Sequence, residues 1–161
     1  MIATMNRIPL SARVLLVTAS LLCAGVAAAQ SAPVTATDCL PQWQQGWVRL
    51  PPTPAMGMAA GFGQFVNPCD RPLAVVSASS PAFGDVTLHE SIQVDGVNRM
   101  REVERLPLPA GGKAILSPGG LHLMLMDPAQ PLQEGANVPL TFVLADGRRV
   151  EAVLQVRKAA P

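Results

Sequence analysis

The sequence predicts an all-β domain, a sandwich or barrel of short strands, on three observations. Beyond Trp47 the chain divides into short β-type runs separated by clusters of proline, glycine, asparagine and aspartate. No run of helical period reaches ten residues without a proline or glycine, and the 161 residues include 16 prolines and 13 glycines. The composition, 49% hydrophobic and 14% charged with a net charge of +1, suits one compact core and argues against disorder. It also offers no basic field for nucleic acid. Many short strands at this spacing close as two packed sheets or as a barrel.

The first element in order is an export signal over residues 1–29. Arg7 and Arg13 precede the apolar run "VLLVTASLLCAGVAAA", and Ala27-Ala28-Ala29 supplies the small residues that a signal peptidase reads, so cleavage is expected near Ala29. The apolar run, about 16 residues, is short of the roughly 20 that a spanning helix needs. Cys23 follows Ser20, Leu21 and Leu22, without the small residue expected immediately before a lipidated cysteine. Removing this segment leaves ten basic and eleven acidic side chains, a net charge of −1. It also leaves Cys39 and Cys69 as a pair in an oxidising compartment, where two such cysteines usually form a disulfide. The alternative, metal binding or electron shuttling, would have to work without a Cys-x-x-Cys motif.

Residues 30–45 form a leader tied down by Cys39, residues 46–157 the domain, and residues 158–161 a short tail. Within the domain the expected strands are "WVRL", "GFGQFV", "LAVVSAS", "DVTLHESIQV", "VNRMREVERL", "KAILS", "LHLMLM", "VPLTFVLA" and "RVEAVLQV". Trp43 and Trp47 are expected to anchor the leader to the core. Asp95-Gly96, between apolar positions, is the strongest short-range signal for a two-residue type I′ hairpin. That turn sets Val94 opposite Val97, Ser91 opposite Met100 and Glu90 opposite Arg101, which makes His89 and Met100 diagonal neighbours on one face. In "GGLHLMLMD" strand alternation turns His122, Met124 and Met126 to one face and Leu121, Leu123 and Leu125 to the other.

Two small constellations follow, His89 with Met100 and His122 with Met124, and they use both histidines of the chain. Imidazole nitrogen with thioether sulfur is a soft, neutral ligand set that selects Cu(I) over Zn(II), Ca(II) or Mg(II). Methionine needs no deprotonation and cannot enter a disulfide, whereas protonation of an imidazole removes its lone pair, so acid should release the metal.

The spacing His89, ten residues, Met100, twenty-one residues, His122, one residue, Met124 matches the signature H-x10-M-x21-H-x-M. In this the chain resembles the PCuA(C) family of periplasmic copper chaperones. The likeness extends through "ASSPAFGDVTLHESI", "GVNRMREVERLPLPAGG", "LSPGGLHLMLMD" and "PLQEGANVPLTFVLADG", over roughly residues 45–156. The resemblance implies a cupredoxin-like antiparallel β-sandwich acting as a monomer. It implies one Cu(I) held by His89, Met100, His122 and Met124, and a periplasmic location. It further implies delivery of the ion to the copper centre of cytochrome c oxidase subunit II, with or without a Sco-type thiol protein. Met126 lies one step beyond the signature and is expected as a hydrophobic wall beside the ligands. Cys39 and Cys69 are not part of the signature and are expected as a structural disulfide. Met56 and Met58 in "TPAMGMAAGF" are expected to pack at a strand edge, with an accessory copper loop as the alternative.

Rival classes fit less well. A blue-copper centre needs a cysteine thiolate beside two histidines, and neither Cys39 nor Cys69 lies near a histidine in sequence. An enzyme is not expected: there is no G-x-S-x-G, no H-E-x-x-H and no spare histidine. Two alternatives of other kinds remain: an exported protein for copper scavenging or tolerance, and a metal-free structural sandwich in which the histidines and methionines are packing.

Overall fold

The computed structural model describes residues 39–53 and 55–158. The expected export signal, Cys23, residues 30–38 of the leader and residues 159–161 of the tail lie outside the described residues. Ten strands follow one another: β1 (Gln42–Arg49), β2 (Met58–Val66), β3 (Leu73–Ser79), β4 (Phe83–Val94), β5 (Val97–Glu102), β6 (Leu106–Leu108), β7 (Lys113–Leu116), β8 (Leu121–Pro128), β9 (Asn137–Leu144) and β10 (Arg149–Arg157). Their hydrogen-bonded order is β5-β4-β8-β2-β1-β10-β9-β3-β6, with β7 pairing the second half of β2. The strands close as a β-sandwich. Phe65 of β2, Leu123 and Leu125 of β8, Leu140 and Phe142 of β9 and Leu154 of β10 are almost fully buried between its layers.

One pairing departs from the antiparallel expectation: β1 runs parallel to β10, Trp47 opposite Gln155 and Arg49 opposite Arg157. The first and last strands are joined only through the whole domain, so no hairpin constrains their direction. β1 also begins at Gln42, inside the segment expected as a leader. A shift of register between Gln44 and Trp47, with Gln45 at φ 56°, re-aims the strand so that both tryptophans find aromatic partners. Trp43 packs edge-on to Phe65 at 4.9 Å and against Phe142 at 5.0 Å, while Trp47 stacks on Phe62 at 4.6 Å.

A second departure concerns "VNRMREVERL", expected as one strand. The chain leaves β5 at Glu102 and re-enters the sheet as β6 beside β3. Leu106 and Leu108 are buried in the core there, which the exposed ribbon of β5 could not provide.

The hairpin at Asp95-Gly96 forms in the expected register. Val94 faces Val97, Ser91 faces Met100 and Glu90 faces Arg101, with φ of 53° at Asp95 and 75° at Gly96. Glu90 and Arg101 make an ion pair at 2.7 Å.

Cys39 and Cys69 are joined in a disulfide. Beneath it lies the buried side chain of Asn67. Its amide donates to the carbonyls of Arg71, Leu108 and Pro109, each at 3.0 Å, and its Oδ1 accepts from Cys69 N–H at 3.1 Å. The segment ahead of β1 is held a second way, by Arg148, whose Nη1 donates to the Cys39 carbonyl at 2.6 Å. The Arg148 side chain also hydrogen-bonds Asp146, and chiefly for that reason the Asp146 carboxyl sits below its ordinary value of 3.8. Its contribution to stability is present above that ordinary value and is lost as pH falls through the lower folded one.

The disulfide closes a loop with a sequence separation of 30. Replacing both cysteines with serine should lower unfolding stability by about 3–4 kcal/mol. Equilibrium denaturation in urea measures this, and an unchanged midpoint would mean that Arg148 and Asn67 suffice to hold the segment.

Candidate metal centre

The site is set by the way β8 lies between β4 and β2. In the β4–β8 ladder His89 is directly opposite His122, Thr87 opposite Met124 and Asp85 opposite Met126. In the β2–β8 ladder Ala60 is opposite Met124 and Met58 opposite Met126. Opposed residues share a face, so one outer face carries His89, His122, Met124 and Met126 while Leu123 and Leu125 enter the core. β5 completes it: Ser91 faces Met100 and His89 faces Glu102, which makes Met100 the diagonal neighbour of His89. The four residues of the H-x10-M-x21-H-x-M spacing therefore meet across three adjacent strands.

They differ in exposure. His122 is only 5% exposed, His89 and Met124 are half-buried, and Met100 is 54% exposed. His122, Met124 and Met100 line one cavity of about 430 Å³, together with Ser91, Phe62 and Arg49. Phe62 provides an apolar wall, its ring centroid 6.4 Å from that of His122. The Arg49 guanidinium lies over the Phe62 and Trp47 rings at 5.3 and 5.9 Å. Ala60, opposite Met124, is small and leaves the thioether room.

The two imidazoles stand 6.1 Å apart, centroid to centroid, tilted by 37°. His122 Nδ1–H donates to the Gly120 carbonyl at 2.9 Å. That bond fixes the tautomer and leaves the lone pair on Nε2; orienting a ligating histidine through its second nitrogen is the usual arrangement at metal sites. The same carbonyl accepts from Ser91 N–H at 3.1 Å, so the Gly119-Gly120 turn ties the start of β8 to β4. Gly119 sits at φ 83°, a conformation that favours glycine.

His89 Nε2 is 3.1 Å from Thr87 Oγ1, while its buried Nδ1 has no hydrogen-bond partner. With Nε2–H donating to the threonine, Nδ1 presents a desolvated lone pair. An unsatisfied buried group of this kind costs about 1–3 kcal/mol, and a coordinated cation would remove the penalty. Among the described residues no three His, Cys, Asp or Glu side chains come together as a metal cluster. The face also carries the carboxylates of Asp85 and Glu102, opposite Met126 and His89, but the donors of the four-residue spacing are imidazoles and thioethers, which fit a soft monovalent ion and fit hard divalent ions poorly.

The family model described as "Putative lipoprotein LpqE-like" matches residues 42–156, from the start of β1 to the last residue but one of β10. The chain belongs to the LpqE-like family. Over 117 residues this LpqE-like chain is 32% identical to "Putative lipoprotein Lxx21020" of Leifsonia xyli, covering 72% of this chain and 69% of that one. Among solved structures it is similar to CuI-DR1885 from Deinococcus radiodurans, with a TM-score of 0.60 at 29% identity over 81% of this chain and 85% of that one. It has the same fold as the copper-bound PCuAC domain of PmoF2, with a TM-score of 0.60 at 21% identity over 74% and 93% of the two chains. The resemblance read from the residues and the β-sandwich class are both borne out.

Several members of the site were not legible beforehand. Phe62 follows Met58 and Ala60 at strand spacing in "MAAGF", so alternation pairs these three on one face, but nothing in the sequence says that β2 lies beside β8. Thr87 and Gly120 orient the imidazoles, and each lies two residues before the histidine it serves. Arg101, which flanks Met100 in sequence, is engaged by Glu90 on the opposite face.

The Gly120 contact leads to an expected outcome in solution: neutral His122 should be the Nδ1–H tautomer. Long-range proton–nitrogen correlation of the imidazole reads this directly. An Nε2–H ring would mean that Nδ1 carries the lone pair and the bond to Gly120 is not made.

Proposed function

We propose that this LpqE-like protein is an exported Cu(I) carrier that binds one ion through His89, Met100, His122 and Met124 and hands it on by ligand exchange. The observation that carries the reading is the pairing of His89, whose buried Nδ1 lacks a partner, with a His122 whose Nδ1 is committed to Gly120. Both lie on the face that also carries the two thioethers. Support comes from the relatives: DR1885 has been solved with Cu(I), and the PCuAC domain of PmoF2 with copper.

The gradient of exposure suits transfer. Met100, the most open donor, is the first that an acceptor's thiolate or imidazole can displace, and the buried His122 is the last to let go. Each donor is itself uncharged, so its release leaves no bare anionic side chain behind. In our reading the acceptor is the copper centre of cytochrome c oxidase subunit II, reached directly or through a Sco-type thiol protein, and the carrier works as a monomer in the periplasm. The role is carriage, with no catalysed reaction. Met126, two residues along the face from Met124, is a wall of the site and not one of its four ligands.

Relatives named as lipoproteins support export. In this chain the residues before Cys23 favour cleavage near Ala29 over lipidation. Mass spectrometry of the exported protein should find an N-terminus at Gln30; a lipid-modified Cys23 would replace a free carrier with an anchored one.

The deciding experiment is a Cu(I) titration against a chromophoric competitor, for the wild type and a His122→Ala, Met124→Ala double variant. One tight site in the wild type, lost in the double variant, is expected. Met100→Leu and Met124→Leu should each weaken binding by about tenfold or more. Equal affinity in both single variants would remove the thioethers from the ligand set, and no competition by the wild type would leave a metal-free sandwich.

A further inference from the structure

Five methionines fall within the described residues: Met56, Met58, Met100, Met124 and Met126. None belongs to the buried core, which is built from leucine, valine, phenylalanine and alanine. As adaptable core filler, methionine would be found inside. Here four of the five line the cavity of about 430 Å³ beside His122, and the fifth, Met126, is the register partner of Met58 on the same face. Only Met100 and Met124 belong to the copper spacing. Met58 opens β2 and is paired there with β8 alone, the β1 ladder ending at Ala60.

We propose that Met56 and Met58, which line this cavity, form with Met126 beside it a second, weaker thioether position for Cu(I). It rests on the reading of the His89–Met100–His122–Met124 set as a Cu(I) site, and it would serve as the position where an ion first lands. Met56 and Met58 are 40% and 42% exposed, so an ion from solvent can reach their side chains. Their backbone is nonetheless held in place. Asp127 N–H donates to the Gly57 carbonyl between them at 2.8 Å, which ties the segment to the end of β8, and Met56 N–H donates to the Thr53 carbonyl at 3.2 Å. Binding there therefore orders little more than side chains.

Met58 and Met126, directly opposed on adjacent strands, have Cβ atoms about 5 Å apart, within which two thioether sulfurs converge readily on one ion. Asp85, the register partner of Met126 on its other side, adds a carboxylate that favours a cation at this position. Met124, two residues along β8 from Met126, links the second position to the first. Leucine would cover the same apolar surface at nearly the same volume, so packing alone does not call for thioethers here. Three thioethers without an imidazole make a weaker donor set than the mixed one, which sets the direction of flow toward the histidines.

The test uses the full chain with methyl-labelled methionine, titrated with Ag(I), a redox-inert ion of the same charge and softness, in chloride-free buffer. The first equivalent should shift the methyls of Met100 and Met124, and a second those of Met56, Met58 and Met126 with affinity weaker by roughly tenfold or more. A Met56→Leu, Met58→Leu variant, altered only at exposed positions, should lose the second event and keep the first within about twofold. Shifts of Met100 and Met124 alone, through several equivalents, would overturn the second position and leave the carrier reading intact. Shifts of all five within the first equivalent would overturn it in favour of one enlarged site. No methyl shift at all would instead overturn the carrier reading on which the inference rests.

Discussion

The register of β8 between β4 and β2 is the constraint on which the rest of the molecule depends. Side chains on a strand alternate with a period of two, so a slip of one residue would exchange Leu123 and Leu125 for Met124 and Met126 in the core. Leu123 and Leu125 are almost fully buried, and each core leucine typically contributes several kcal/mol relative to a truncated side chain, so the slip is closed off. The hydrophobic core thereby decides which side chains face outward. The functional face is the remainder of a packing problem solved on the other side of the sheet.

From that register follows the division of labour at the site. Strand pairing alone puts His89 opposite His122 and within diagonal reach of Met100, with no loop required to carry a donor. Fine positioning is left to two short-range contacts, Thr87 with His89 and the Gly120 carbonyl with His122. A rigid sheet gives the donors fixed spacing, and unequal exposure gives an order in which they can be released. Buried histidine and exposed methionine thus reconcile holding an ion with giving it up, two demands that a fully enclosed site would set against each other.

The attachment of the amino-terminal segment works on a different principle. β1 is paired in parallel to the last strand and antiparallel to β2, and it is anchored by aromatic packing, by the disulfide and by Arg148. Trp47 also covers Phe62, the wall beside His122. Order at the start of the domain is in this way linked through two rings to order at the site.

Much of this was legible in one dimension. The turn at Asp95-Gly96 specifies its own hairpin, because the left-handed φ values it needs restrict the residues and the loop length sets the register, and His89 and Met100 follow as diagonal neighbours. Alternation in "LHLMLM" likewise separates core from face without knowledge of any neighbour. The break between β5 and β6 was not legible, since "VNRMREVERL" is locally a plausible strand and only the demand to bury Leu106 and Leu108 beside β3 divides it. Nor was the entry of Met56 and Met58 into the same cavity as His122. The sequence by itself determined the strand class, the hairpin and the four-residue spacing, because these depend on periodicity and turn chemistry within a few residues. Only the tertiary structure decided that β2 lies against β8, and so brought Phe62 and the second pair of thioethers to the face, because which strands become neighbours is set by the burial of the whole core.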